Sequence, residues 1–588
     1  MDLRLPTHPD RVLTYLAEAE SFSVFRQRLQ SYQTADFLYH VLFPQSDPKP
    51  LAAALWRGSV RALQRFPLRL GGELSLALLW ADFLGSLRQV GDIADAEWRQ
   101  ARTDLVHTQI LHFGETGWLA GLVLTSLYDP DLPRYVASSI VWTSPVLRAH
   151  TLTWMTSIWM AQGTWNPIQK QNRQFLYDCL TRHAEETHHF LPQAAFMDAY
   201  WTSDPDKYAG IRRAFVRWAD NRGLVSRATL EPKPRTSSSE VKIGIVAANW
   251  HERHASRKAL LTSVQALRAW GAQVYLVDTH PHPRTCYADF DGTIPVRLTA
   301  TPQGTVIEDS ELAAAGLDFL YFIETYQAEL DSLLALRRYA PIQATGYGIP
   351  ISTQSPAIDY FFTGSLVESR RGLRDYRETP LILPGIGMHS TPRPGVAPYA
   401  KAPGQIRVVV SANLIKFTSD YLDTLARIAK AIPGIDWVFL PNNFHPYSLA
   451  AIREVERRFQ PEKVSWYLHT QKVYLPLLQS ADLILDAVPY SGYTTVVDAI
   501  SLGVPILTWR GVHGHERLGS AVAELGGMPR WLTPTSLPAF EKRAIQLLRN
   551  PALRFLCHKR ILHHRYRLFD ESQSLAFADA VKILLKTT

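Results

Sequence analysis

The stretch ADLILDAVPYSGYTTVVDAISLGVPILTWR, Ala481 to Arg510, reads as a strand, a polar turn, a helix and a second strand. The apolar run ending at Asp486 is short and aliphatic, as a fully buried strand is. The turn SGYTT opens a helix near Thr495, and PILTWR returns as the next strand. Two strands joined through a helix form the repeating unit of a parallel sheet.

The alternation extends towards the N-terminus. IRVVVSA, DWVFLP and VSWYLH precede the unit, and an earlier series holds VKIGIVAA (241–248), AQVYLVDT (272–279), LDFLYFIE (317–324) and IDYFFTG (358–364). Runs this apolar are strands covered on both faces. A Pro/Gly-rich stretch, STPRPGVAPYAKAPG, separates the two series and predicts a linker over 390–404. The prediction is therefore two doubly wound α/β domains in tandem, 241–389 and 405–588.

Upstream, ATLEPKPRTSSSE predicts a linker over 228–240. Before it, residues 1–227 show apolar positions three and four apart, as in LAEAESFSVFRQRLQSY and RQFLYDCLTRHAEETHHFL, and predict an all-helical domain. Ten of the 16 tryptophans lie there, from Trp56 to Trp218; at helical spacing they read as packing. No 34-residue tetratricopeptide period is evident.

The chain has 588 residues, with 62 Lys+Arg against 54 Asp+Glu, a mild excess of +8. That charge suits an anionic small molecule as well as it suits nucleic acid, so it selects neither. With 46% hydrophobic and 20% charged residues the composition excludes a disordered chain. Cys179, Cys286 and Cys557 lie far apart, which excludes a disulfide framework or finger-type zinc site and suggests a reducing compartment. MDLRLPTHPDRVL lacks the order of a secretory signal. GWLAGLVLTSLY is too short to span a bilayer, so a cytoplasmic protein without stable membrane insertion is expected.

Ligands of open parallel sheets sit beyond the carboxyl ends of the strands, so the segments after these runs are the candidates. Backbone amides opening the helix at Thr494 and Thr495, beside their hydroxyls, make a diphosphate site, and Asp498 is placed to accept from a ribose hydroxyl. The alternative reading makes Thr494 a plain cap and Asp498 a dipole complement. In SANLIKFTSD, Lys416 lies just past a strand, where a cation offsets charge on a leaving diphosphate without a metal; the alternative is a solvated loop lysine. In ANWHERHASRKALL, His251 and His254 begin a helix, a position that keeps an imidazole neutral and able to take a proton or a hydrogen bond. HERH lacks the HExxH order, so no metal is assigned, and the DPD and DFD triplets carry no weight. GYGIP is no dinucleotide fingerprint, and no Walker loop or GxSxG elbow is found.

Together these segments resemble glycosyltransferase family 41, which contains the O-linked N-acetylglucosamine transferases and the bacterial N-glycosyltransferases. The resemblance covers most of 240–588. PIQATGYGIPISTQSPAIDYFFTG is similar to a family segment through Pro341, Gly348, Pro350, Thr353, Ser355, Ile358, Asp359 and Tyr360, with Ile349 where the bacterial members carry His. The resemblance places Asn413, Lys416, His469, Gly492, Tyr493, Thr494, Thr495 and Asp498 on the donor side. It places His251, Gly348, Pro350 and Thr353 on the acceptor side, with His254 an active-site histidine. Tyr493 stands where the O-linked branch carries His, and Gly492 where the bacterial branch carries Asn. VHGHERLG and LGGMPRWL resemble bacterial segments, and YWTSDPDKY suggests Asp204 as a base.

The implied fold is GT-B, two Rossmann-like domains facing a cleft behind an all-α domain, the last helix crossing back. The implied activity is inverting, metal-independent transfer of a hexose, glucose in the first instance, from a UDP-sugar to Asn in Asn-x-Ser/Thr. The partners are then a UDP-sugar and an acceptor polypeptide, with no cofactor and no nucleic acid. The alternatives are transfer of N-acetylglucosamine to Ser/Thr, and a UDP-sugar-binding interaction protein with little or no catalysis.

Overall fold

The computed structural model describes residues 49–65, 167–190, 192, 201–225 and 240–587, apart from 253, 302–303, 347, 349, 442–447, 463 and 468–472, together with scattered positions between 93 and 153. The chain forms two units. The first holds the described residues of Met1–Phe190 with Asn413–Ala426 and Pro441–His469; the second holds Leu191–Ala412, Arg427–Leu440 and Thr470–Thr588.

The described residues of the first unit are mainly helical, as the spacing of apolar residues predicts. Trp56 and Trp98 are buried with ring centroids 6.1 Å apart, beside an Arg57–Glu97 ion pair of 2.7 Å. Their packing role matches the tryptophan reading. In the later segments Arg458 pairs with Asp423 at 2.7 Å and donates to Ser419 at 3.0 Å, tying two helices together.

The second unit opens with the helix α1 (Pro205–Asn221) and then enters a sheet. Its strands are β1 (Lys242–Val246), β2 (Gln273–Asp278) and β3 (Gly292–Pro295), then, after an antiparallel hairpin of β4 (Arg297–Thr301) and β5 (Gly304–Glu308), β6 (Phe319–Phe322), β7 (Ile342–Thr345), β8 (Tyr360–Gly364) and β9 (Thr379–Leu383). The seven-stranded order is β3-β2-β1-β6-β7-β8-β9, with every pairing parallel. The strand period of two divides the core cleanly. Ile243, Ile245, Val274 and Leu276 pack beneath α2 (Ala255–Ala269), while Val246, Val277, Leu320 and Phe322 face the other layer, which includes α3 (Glu329–Leu334). Phe577, Ala578 and Val581 of the last helix, Ser572–Thr587, also join the first face.

A second parallel sheet follows, with strands β10 (Arg407–Val410) and β11 (Asp436–Phe439). The segment β12 (Val464–Trp466) falls in the first unit, and β13 (Leu483–Leu485) and β14 (Ile506–Leu507) complete the second. The order in the second unit is β11-β10-β13-β14. In each sheet the order reverses beside the first strand, between β1 and β6 and between β10 and β13. Those reversals create the crevices where ligands of such sheets bind.

Candidate functional site

At the first crevice, β1 runs into Asn249, Trp250 and His251, and β6 ends just before Glu324. Asn249 donates to Glu324 Oε2 through its backbone N–H (3.2 Å) and its side chain (3.3 Å), and Ser256 Oγ donates to Oε1 at 2.5 Å. His254 caps α2, its Nδ1 accepting from the Ser256 N–H at 3.4 Å. With Nδ1 acting as acceptor, the proton of the neutral ring sits on Nε2. Glu324 Oε1 lies 3.2 Å from the same Nδ1. Burial, reinforced by the Lys258 charge, lowers the His254 pKa to about 4, and burial raises that of Glu324. Behind them Asp331 is fully buried, accepts from Thr279 Oγ1 at 2.5 Å, and is pushed up to about 7 by burial. His251 stacks on His282 with centroids 5.0 Å apart, and burial lowers its pKa.

At the second crevice β13 ends at Asp486, a buried carboxylate that accepts from the N–H groups of Ala487 (2.9 Å) and Gly492 (2.9 Å) and so shapes the turn. Helix α4 (Thr494–Ser501) follows. Tyr493 holds its cap position without a side-chain hydrogen bond to the helix, so Thr494 is the first helical residue and not the cap. The Tyr493 hydroxyl instead pairs with Ser390 Oγ at 2.8 Å and donates to the His389 carbonyl at 3.2 Å. Asp498 is buried; Oδ1 accepts from Arg393 Nε at 2.7 Å and Oδ2 from the Tyr474 hydroxyl at 2.9 Å. The carboxylate expected to meet a ribose is thus already held by two protein donors. An open cleft lies here, lined by Lys258, Ser390, Thr391, Arg393, Tyr493 and Thr494 among others.

The other expected residues are spread more widely. Gly348 and Pro350 line a mainly apolar pocket with Tyr321, Phe361, Met388 and Leu518. Gly348 has φ +107°, and a Cβ there would overlap the Ile323 carbonyl oxygen, so the close approach needs glycine. Thr353 is buried: its N–H and hydroxyl both donate to buried Glu378, and its carbonyl accepts from Tyr326 at 2.5 Å. Asp204 is the exposed cap of α1, accepting from the Asp206 N–H at 3.0 Å. Asn413 caps a short turn that ends at the half-buried Lys416; both belong to the first unit, whereas Thr494, Thr495 and Asp498 belong to the second. His469 and Ile349 lie outside the described residues.

Helix α1 is anchored by a layer that sequence reading did not anticipate. Tyr208 meets His513 and His515 edge-on, at 5.7 and 5.3 Å, and His515 stays neutral because burial drives its pKa well below the ordinary value. Buried Arg212 donates to the carbonyls of Ile351 and Ser352 and lies 4.8 Å over the Tyr326 ring. Glu324, Asp331, Lys258 and Arg393 were also missed. The signal available was an acidic residue closing an otherwise apolar run, LDFLYFIE, at the carboxyl end where function collects.

Among the described residues no group of three or more His, Cys, Asp or Glu is placed to hold a metal, and no helix is long and apolar enough to cross a membrane. No protein-family model matches the chain. It is 30% identical over 199 residues to the probable UDP-N-acetylglucosamine–peptide N-acetylglucosaminyltransferase SPINDLY of Hordeum vulgare, a stretch covering 32% of this chain and 21% of that protein. It is 22% identical over 245 residues to the UDP-glucose:protein N-beta-glucosyltransferase of Actinobacillus pleuropneumoniae serotype 5b, covering 39% of this chain and 38% of that one. The chain thus spans well under half the length of these relatives. Among solved structures, a point mutant of the Thermobaculum terrenum O-GlcNAc transferase shares the fold with a TM-score of 0.59 at 17% identity, over 99% of this chain and 98% of that one. Two parallel sheets with ligand-type crevices give this chain the GT-B fold, and its sequence is similar to glycosyltransferases of both branches that the motifs resemble.

Proposed function

We propose that the protein transfers a hexose from a UDP-sugar to the Asn side chain of Asn-x-Ser/Thr in a polypeptide, with inversion, in the cytoplasm and without a metal. The observation that carries the proposal is the open cavity at the N-terminus of α4, beyond the carboxyl edge of β13, where hydroxyls and cations gather. Helix N-termini and cations stabilise a diphosphate. The names of the barley and Actinobacillus relatives, both UDP-sugar-dependent and both acting on peptide or protein, supply the substrate classes.

In this reaction the acceptor nitrogen attacks the anomeric carbon as the carbon–oxygen bond to UDP breaks, and charge builds on the departing β-phosphate. The protein's largest contribution is then to hold that charge, a role for the α4 amides and, by the motif it matches, for Lys416. His254, held neutral by burial, is suited to orient the acceptor rather than to take a proton. A second reading, transfer of N-acetylglucosamine to Ser/Thr, is favoured by the higher identity to SPINDLY, 30% against 22%.

Mass spectrometry of an Asn-x-Thr peptide and its Gln-x-Thr control, incubated with UDP-glucose or UDP-N-acetylglucosamine in chelator, tests the proposal. A hexose gained by the Asn peptide alone is expected. N-acetylhexosamine on both peptides selects the second reading, and UDP binding with no mass gained on either removes catalysis. Lys416→Ala should lower turnover by roughly 10²–10³, the scale of one lost electrostatic contact.

A further inference from the structure

We propose that Lys258, with Arg393 beside it, is a counter-charge for the donor's diphosphate, a contact supplied by the first sheet's helix α2 to a ligand seated on α4. The inference rests on the UDP-sugar reading and adds to it a residue that no motif indicated.

The charges lining this cleft do not balance among themselves. The open cleft is lined by the cations of Lys258 and Arg393 and by one carboxylate, Asp498. That carboxylate is taken by Arg393 at 2.7 Å and by the Tyr474 hydroxyl. Among the described residues no group pairs with the half-buried Lys258 ammonium. Lys258 also lies in the fourth position of α2, near the positive end of the helix, where an added cation is unfavourable. Burial and then the neighbouring Arg393 charge lower its pKa, with the Asp498 carboxylate, already bonded to Arg393, offsetting only part of the shift. A lysine placed near a like charge, near the wrong helix end and without an acceptor breaks local rules, as functional positions do. The Ser390 and Tyr493 hydroxyls bond each other and the His389 carbonyl, and the remaining polar lining, the Thr391 and Thr494 hydroxyls, is suited to donate to phosphate oxygens. An anion of charge two or more satisfies all of these groups together.

The test is isothermal titration of the full chain with UDP, uridine and inorganic diphosphate, comparing wild type with Lys258→Met and Lys258→Arg. Among the described residues the Lys258 ammonium makes no hydrogen bond or close ion pair, and the repulsion from Arg393 and attraction to Asp498 oppose each other, so both variants should melt near the wild-type temperature. The expected result is that Lys258→Met weakens UDP and diphosphate about 10–100-fold, the range of a charge-assisted contact. Uridine affinity should stay within twofold, and Lys258→Arg should recover most of the loss. Equal UDP affinity in wild type and Lys258→Met overturns the assignment. Diphosphate binding that depends on Lys258, in a wild type that binds no UDP, supports the anion site while removing the UDP-sugar reading. A wild type that binds neither ligand overturns both.

Discussion

Replacing Arg393 with Met should destabilise the protein more than replacing Arg393 and Asp498 together. Asp498 has a side-chain exposure of 1% and Arg393 one of 26%, with Nε and Oδ1 2.7 Å apart. At an effective dielectric of about 20 that separation corresponds to an attraction of about 6 kcal/mol, a ceiling before desolvation is counted. Removing one member of a buried pair generally costs about 3–5 kcal/mol, because the other charge is left without compensation. The partial exposure of Arg393, and the Tyr474 hydroxyl that still donates to Oδ2, place Arg393→Met near the lower figure, about 3 kcal/mol. Asp498→Asn keeps a carbonyl for one donor and removes the charge. The double variant should therefore lose only about 1–2 kcal/mol, so that with Asp498→Asn alone costing about 1 kcal/mol the coupling is about 2–3 kcal/mol. Urea unfolding of the four proteins of the cycle, followed by circular dichroism and by amide exchange in α4, measures it. The exchange data matter because a chain of two units need not unfold in one step. Additivity within about 0.5 kcal/mol would refute the reasoning.

Three further outcomes follow from single positions. Asp331, whose pKa burial raises from 3.8 to about 7, keeps its proton when folded while the unfolded chain loses it, so stability is lost as pH rises from about 4 to about 7, by at most about 4 kcal/mol. Asp331→Asn should therefore raise the melting temperature more at pH 8 than at pH 4.5, and equal shifts at the two pH values would refute the raised value. His254, with a pKa lowered to about 4, has the opposite sign: stability is lost as pH falls from 6.5 through 4, and an NMR titration of its ring should show no protonation at pH 6. A midpoint near 6.5 would show the ring solvated. Gly348→Ala should cost about 3 kcal/mol or more, since its Cβ would overlap the Ile323 carbonyl on a backbone with φ +107°, whereas Gly395→Ala, which meets nothing within 4 Å, should be silent in the same thermal melt.

The site was legible where its groups are local in the chain. HERHASRK places His254 ahead of a helix, and the structure has it there as the cap; SGYTT opens α4 one residue earlier than expected. Partners distant in the chain were not legible. Glu324 meets Asn249 75 residues away, and Arg393 meets Asp498 105 residues away. Thr353 matched a motif, and its bonds go to Glu378 and Tyr326, a buried network that its place in the chain did not reveal.

Periodicity alone determined that this chain builds tandem parallel sheets and that its ligand groups follow strand ends. An apolar run has one way to bury both faces, and a polar turn after it has one edge to occupy. What the tertiary structure decided is which charges share a cavity. Lys258 reads as an ordinary helix lysine until α2 and α4 bring it to Arg393, and Asp498 reads as a free acceptor until Arg393 and Tyr474 reach it. Hydrogen bonds and ion pairs act over a few ångströms of space, and the order of strands, not their spacing along the chain, sets those distances.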